Sequence, residues 1–318
     1  LLGVLNRGFK QGLHLTWTLG KVIFPITFIV TILQATPVLG WVTNIVEPMM
    51  KWLGLSGEAA IPLVLGNFLN LYAGIAAIVS FDFTVKEVFI MAIMLSFSHN
   101  LLIESTVAAK VGVKWWFVVG IRICLAFFSA LLINFFWQGG SEMAQYGMIA
   151  QTDIPEGWLM ISLNGLQTAL IAIVQLACIV IPLMIVMQWL KENNWIARFS
   201  HWFAPFTRFL GVDRNASTTL IAGLTIGLAY GAGLMIQAVE EDGVSKKDMY
   251  LSLLFLVSCH AVVEDTLIFI PLGIPVWPLL VIRLATAILL TAVVGFIWNR
   301  INMNKRKDNV YDHSHSSI

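Results

Sequence analysis

Residues 88–110 form an apolar run long enough to cross a bilayer, yet the middle of the run is polar. It reads Ser96-Phe97-Ser98-His99-Asn100-Leu101-Leu102-Ile103-Glu104-Ser105. A second version stands 161 residues later as Val257-Ser258-Cys259-His260-Ala261-Val262-Val263-Glu264-Asp265-Thr266. Ionisable groups at membrane depth are costly, and they mark functional sites by default. Backbone that leaves the helix there survives only where it is buried in protein or lines a wet cavity. A chain with two such breaks needs a fold that covers both.

Composition places the chain in the bilayer. Hydrophobic residues make up 58% and charged residues only 12%, against about 25% charged in soluble domains. The apolar segments are long, which predicts helices rather than the alternating ten-residue strands of a barrel. The net charge of +1 gives no basis for a nucleic-acid partner. Cys124, Cys178 and Cys259 all lie in apolar runs, so no disulfide framework is expected. No cleavable signal peptide pattern is visible.

Taken in order, residues 1–14 read as an amphipathic segment and 15–36 as a span containing Pro25. Residues 40–55 read as an interfacial helix flanked by Trp41 and Trp52. Residues 59–80, 88–110 and 115–137 are apolar again, and 138–157 form an acidic external loop. The second half repeats this order. Residues 158–190 read as a span, 191–214 as a basic surface segment, and 216–239 as a glycine-rich span with Gly223, Gly227, Gly231 and Gly233. Residues 249–271 hold the second break, 276–298 read as the last span, and 299–318 as a polar, mobile cytoplasmic tail. Two gate-like units of 15–137 and 158–298 result.

The duplication holds residue by residue. At an offset of 161, Lys86 pairs with Lys247, His99 with His260, Gly112 with Gly273, Trp116 with Trp277, Arg122 with Arg283 and Trp137 with Trp298. Nearer the start of each half the offset is 157, pairing Pro25 with Pro182, Pro48 with Pro205 and Gly54 with Gly211. One insertion of four residues reconciles the two.

If 88–110 and 249–271 were re-entrant hairpins, each half would cross three times and the halves would be inverted. The positive-inside rule favours this over four crossings per half. It leaves fourteen Lys and Arg inside and only Lys51, Lys246 and Lys247 outside, whereas four crossings split them ten to seven. The expected fold is therefore an all-α polytopic membrane protein of two inverted repeats. Each repeat has three spanning helices, an interfacial helix and a re-entrant helical hairpin. Both termini are cytoplasmic, in the inner membrane of a bacterium. Interrupted helices at the midplane of inverted repeats are a transporter signature.

The paired Ser-His-Asn-Leu-Leu-Ile-Glu and Ser-Cys-His-Ala-Val-Val-Glu-Asp motifs resemble those of the Gate-domain, or nucleoside-recognition, membrane proteins. That family includes the spore maturation proteins A and B. Similar domains form the membrane part of ferrous-iron permeases, and the pattern is similar to the hairpin core of concentrative nucleoside transporters. The resemblance covers residues 15–298 and implies a solute-translocating fold without fixing the solute. The sequence contains no P-loop or GTP-binding domain, so the resemblance does not carry GTP-driven iron uptake to this chain.

Glu104 lies eight residues before Gly112 and Arg122 ten after it, which puts both at similar depth on neighbouring helices. Asp265 and Arg283 have the same relation to Gly273. Both pairs read as structural ion pairs, with solute contact as the alternative. His99 and His260 have no local partner of this kind. They read as solute ligands, metal ligands or proton relays at the two tips, or as core histidines held by backbone carbonyls. Glu264 lies four residues after His260 on the same helix face, and the equivalent position is Ile103. A tentative metal set is thus His99, His260, Glu264 and Cys259, suited to a borderline divalent metal. Ser98 and Ser258 read as N-caps of returning half-helices. Asn100, Asn67 and Asn70 complete the polar groups available to a solute.

The function expected is a secondary transporter or permease. It would move a small polar or charged solute, a divalent metal cation or a nucleoside-like molecule, by alternating access. A proton, a sodium ion or a bound divalent metal is the implied cofactor, and the lipid bilayer is the implied partner. The glycine-rich span allows packing within a chain or between the copies of a homo-oligomer. The alternative is a non-transporting component of a larger membrane assembly. No nucleophile–base pair or three-ligand metal motif supports an enzyme.

Overall fold

The structure, a computed structural model, describes residues 2–110, 112–145, 157–195 and 245–315 and the isolated positions 198, 210, 220, 221, 223, 224, 227 and 228. Side chains at 246 and beyond 301 are not described. Gly231, Gly233 and most of the basic 191–214 segment and of the 216–239 span therefore lie outside the described residues.

Eleven α-helices occur among the described residues. They are α1 (Leu2–Gln34), α2 (Pro37–Trp52), α3 (Ala60–Phe68), α4 (Leu71–Ile78), α5 (Val85–Ser98), α6 (Leu101–Lys110), α7 (Trp115–Phe136), α8 (Trp158–Glu192), α9 (Lys246–Ser258), α10 (Glu264–Leu267) and α11 (Val276–His315). Five segments are long and apolar enough to cross a membrane: α1, α5 with α6, α7, α8, and α11 to Ile301. The expected separate segment at 1–14 is instead the first turns of α1. The last helix likewise runs on through His315 rather than ending at 298.

The re-entrant hairpin is not where the apolar runs alone place it. Residues 85–110 do not fold back. α7 is one continuous helix, and α5 packs along its C-terminal half while α6 packs along its N-terminal half. At one end, Lys86 Nζ donates to Asn134 O at 3.2 Å, and the backbone of Val85 and Lys86 pairs with Glu142 and Gly140 beyond the end of α7. At the other end, α6 turns directly into α7 through Gly112, whose φ of 97° is easily adopted by glycine. A helix of 22 residues is about 33 Å long, so 85–110 traverses that thickness as one interrupted span. The hairpin is the preceding segment. α3 and α4 are only 9 and 8 residues long and lie against each other, with Gly66 and Gly74 at the contact. The chain reverses at Leu69-Asn70, where Asn70 is extended (φ −168°) and its Oδ1 accepts the Ala73 N–H at 2.9 Å to cap α4.

The same plan recurs in the second half. Thr84 caps α5, accepting the Glu87 N–H at 3.2 Å while Glu87 Oε2 accepts the Thr84 N–H. The equivalent Ser245 caps α9, accepting the Asp248 N–H at 3.1 Å. α9 and α10 pack along α11 as α5 and α6 pack along α7. Gly273, equivalent to Gly112, also has positive φ.

α1 and α8 are equivalent by offset and run antiparallel against each other, the relation an inverted repeat requires. A Cβ on Gly8 would stand 2.6 Å from Ile185 Cα, and one on Gly12 would stand 2.8 Å from Ile181 Cα. Small residues four apart thus let the two backbones approach closely. Arg7 clamps one end of the pair, donating to both oxygens of Glu192 at 2.7 Å. On the outer faces of α7, α8 and α11, Phe135, Phe136, Leu159, Leu289 and Phe296 are exposed, as lipid-facing residues should be. α5 is instead buried almost throughout, so the first break lies at the centre of the protein.

Candidate functional site

α5 ends because the chain turns out of the helix at His99 (φ −55°, ψ 153°) and enters the left-handed region at Asn100 (φ 50°). The matching break has Ala261 at φ 42°. Asparagine tolerates this conformation far better than alanine, which carries a steric cost of roughly 1–2 kcal/mol there. Both breaks are braced identically. The Asn100 N–H donates to Gly66 O at 2.9 Å, and the Ala261 N–H donates to Gly223 O at 3.4 Å. Gly66 and Gly223 are themselves equivalent at the offset of 157, so each interrupted span is pinned to the element before it.

Carbonyls freed at the break need donors, and the following helix supplies them. Arg122 Nε donates to Phe97 O at 2.8 Å and Nη2 to His99 O at 2.7 Å. Arg283 Nη2 donates to His260 O at 2.8 Å. Both arginines are fully buried. Each also meets the expected acid, Arg122 Nη2 lying 2.7 Å from Glu104 Oε2 and Arg283 Nη2 3.0 Å from Asp265 Oδ2.

The histidines are held in the same way. His99 Nδ1 faces Leu95 O at 2.7 Å and His260 Nδ1 faces Leu256 O at 2.9 Å. A carbonyl has no proton to give, so Nδ1 is the N–H in each ring. Nε2 is left facing inward. The two rings, 161 residues apart in sequence, have centroids only 5.3 Å apart. Glu104 sits between them, with Oε1 3.4 Å from His99 Nε2 and Oε2 3.3 Å from His260 Nε2.

The site is not fully symmetric. Asp265, the counterpart of Glu104, is turned towards Arg283 and is 3.9 Å from His260 Nε2. Glu264, which replaces Ile103, accepts a hydrogen bond at 2.7 Å from Tyr72 on the opposite repeat's hairpin. These groups surround a cavity of about 330 Å³. Its lining includes Asn70, Tyr72, His99, Asn100, Glu104, Gly227, Leu228, His260, Ala261, Glu264 and Asp265.

Some expected residues lie elsewhere. Ser98 and Ser258 are the last residues of α5 and α9, not caps of returning helices. Their hydroxyls donate to Met94 O and Leu254 O one turn back, and they do not line the cavity. Asn67 donates to Leu63 O and also stays outside the lining. Cys259 packs in an apolar cluster with Leu256, Val257 and Val262, away from the cavity. Among the described residues, the group spaced to hold a metal is His99, Glu104 and His260, whose ligand atoms lie within 4.8 Å of one another. Cys259 and Glu264 stand outside this group, and Glu104 is within it. Sequence reasoning missed its bridging position and the Tyr72–Glu264 contact, because both join halves that are far apart in sequence.

The family description called Gate, nucleoside recognition, matches residues 16–114 and 173–275. These stretches begin 157 residues apart and end 161 apart, the same two offsets that align the halves. The chain belongs to the Gate family. It is 60% identical, over 298 residues, to a Bacillus subtilis (strain 168) protein described as the uncharacterized membrane protein YvoD. That match covers 93% of this chain and 96% of the relative. In this Gate protein, each matched stretch ends just past one interrupted span, so the family pattern contains both breaks.

Proposed function

We propose that this Gate protein is a secondary transporter or permease for a small polar or charged solute. The observation that carries the reading is the meeting of two equivalent helix breaks at one buried polar cavity. Each break is pinned by an arginine from the following helix and by a glycine carbonyl from the preceding segment. Such bracing holds non-helical backbone at membrane depth, where an uncompensated buried polar group costs several kcal/mol. The cavity is walled by elements of both repeats, so rocking one repeat against the other would open it to each side in turn.

Relocating the hairpin improves the charge argument. Lys86 moves to the outer side and Lys246 and Lys247 move to the inner side. The split of Lys and Arg becomes fifteen inside against Lys51 and Lys86 outside. Three crossings per half are retained, with both termini in the cytoplasm.

The test is uptake into proteoliposomes of purified full-length chain, using a panel of divalent metals and nucleosides. Saturable uptake of at least one solute is expected, falling at least tenfold in His99→Ala and His260→Ala variants that remain folded. Uptake unchanged in both variants would move the pathway away from the breaks.

A further inference from the structure

We propose that His99, Glu104 and His260 form a binding site for one divalent transition-metal ion, of the borderline class that includes zinc. The inference names an occupant for the cavity and so rests on the transporter reading.

Three observations carry it. The donors are gathered closely: a tetrahedral ion with ligands at about 2.0–2.1 Å separates its donors by about 3.3 Å. Glu104 Oε1 lies 3.4 Å from His99 Nε2 and Oε2 lies 3.3 Å from His260 Nε2, and one ligand atom from each residue falls within 4.8 Å of the others. The surrounding contacts are those of metal-binding imidazoles. Each Nδ1–H is spent on a backbone carbonyl of its own helix, which fixes the tautomer and aims the Nε2 lone pair into the site. Arg122 holds the carboxylate in the same manner, from 2.7 Å. Finally, the buried His260 Nε2 faces only acids, Glu104 Oε2 at 3.3 Å and Asp265 Oδ2 at 3.9 Å. Two imidazole lone pairs facing one carboxylate repel unless a proton or a metal cation lies between them.

The donor set selects the class. Two imidazoles and one carboxylate suit zinc, cobalt or nickel, whereas magnesium and calcium prefer oxygen ligands throughout. Three protein ligands leave a coordination position open, the arrangement of exchangeable rather than closed structural sites. An ion that is carried must be able to leave.

Isothermal titration of the full chain in nanodiscs with Zn²⁺, and with Co²⁺ followed by its visible absorption, tests this. A background with His313→Ala and His315→Ala removes the tail histidines. One ion per chain is expected, with affinity at least 100-fold weaker in Glu104→Gln and in His260→Ala and unchanged in Glu47→Gln, whose carboxylate pairs with Lys51 away from the cavity. His99→Gln provides a further ligand variant should Glu104→Gln fail to fold. Absence of stoichiometric Zn²⁺ binding, or equal affinity in folded ligand variants, overturns the proposal. Uptake of a nucleoside without metal binding also overturns it but leaves the transporter reading standing. Stoichiometric metal binding without flux of any solute supports the site and sinks transport.

Discussion

Arg122 bridges an acid and two loose carbonyls of a broken helix, and Arg283 an acid and one. Lysine cannot replace this, because one ammonium lacks the planar fork that reaches two carbonyls and a carboxylate together. Arg122→Met leaves Glu104 without its counter-charge and the carbonyls of Phe97 and His99 without donors. A loss of about 3–5 kcal/mol is expected, read by chemical denaturation in detergent, with Arg122→Lys recovering less than half of it. Ala261 pays a steric cost for its left-handed backbone, so Ala261→Gly should stabilise the fold by roughly 1 kcal/mol in the same assay. Glu58, beside the mouth of the hairpin, is partly buried near Asp82 and Glu87. Burial first, and those two charges next, hold its carboxyl above the usual carboxylate range. The folded state therefore keeps this proton longer than the unfolded chain does, and stability falls as pH rises above about 4.5. Glu58→Gln should flatten that fall in thermal scans across pH. At this scale the sequence already paired each arginine with its acid, because both lie at matching distances from one turn. It could not show Glu104 between the two histidines, since that contact depends on how the repeats dock.

The two kinds of interrupted element look alike as hydropathy. Residues 59–80 and 88–110 are both apolar and both long enough to cross. What separates them is local chemistry. Asn70 caps a new helix after a reversal, whereas Asn100 turns the chain without reversing it. Asn70, the cap of α4, is a polar residue in the middle of the run, and hydropathy alone does not distinguish such punctuation from a solute group. Positive-inside counting alone does not place the hairpin, because either placement leaves three crossings per half. The structure makes a sharp prediction here. Cysteines at Lys86 and Lys114 should react with impermeant thiol reagents from opposite sides of the membrane, and cysteines at Lys51 and Lys86 from the same side. Labelling of Lys86→Cys and Lys114→Cys from one side would restore the hairpin to 88–110. Within the hairpin, Gly66 and Gly74 let the arms touch, and a Cβ on Gly74 would stand 3.0 Å from Gly66 Cα.

Across the whole molecule, the antiparallel pair α1 and α8 ties the two repeats together. Their backbones meet at Gly8 and Gly12, where any side chain would run into Ile185 and Ile181. Gly12→Leu should therefore separate the repeats and cost more than about 2 kcal/mol, with uptake lost through misassembly rather than at the cavity. The duplication behind this architecture was legible in scarce residues such as His99, Arg122 and Trp137 and their partners. In the sequence only charge points to an inverted relation, and the antiparallel packing of α1 against α8 agrees with it. The central claim is that one cavity, built from both breaks, opens alternately to each side. It is tested most directly by a single cysteine at Asn70, in a chain with Cys124, Cys178 and Cys259 replaced. The account predicts that an impermeant thiol reagent labels this position from either face of the membrane, and that a transported solute protects it. Labelling from one face only, under all conditions, would contradict it.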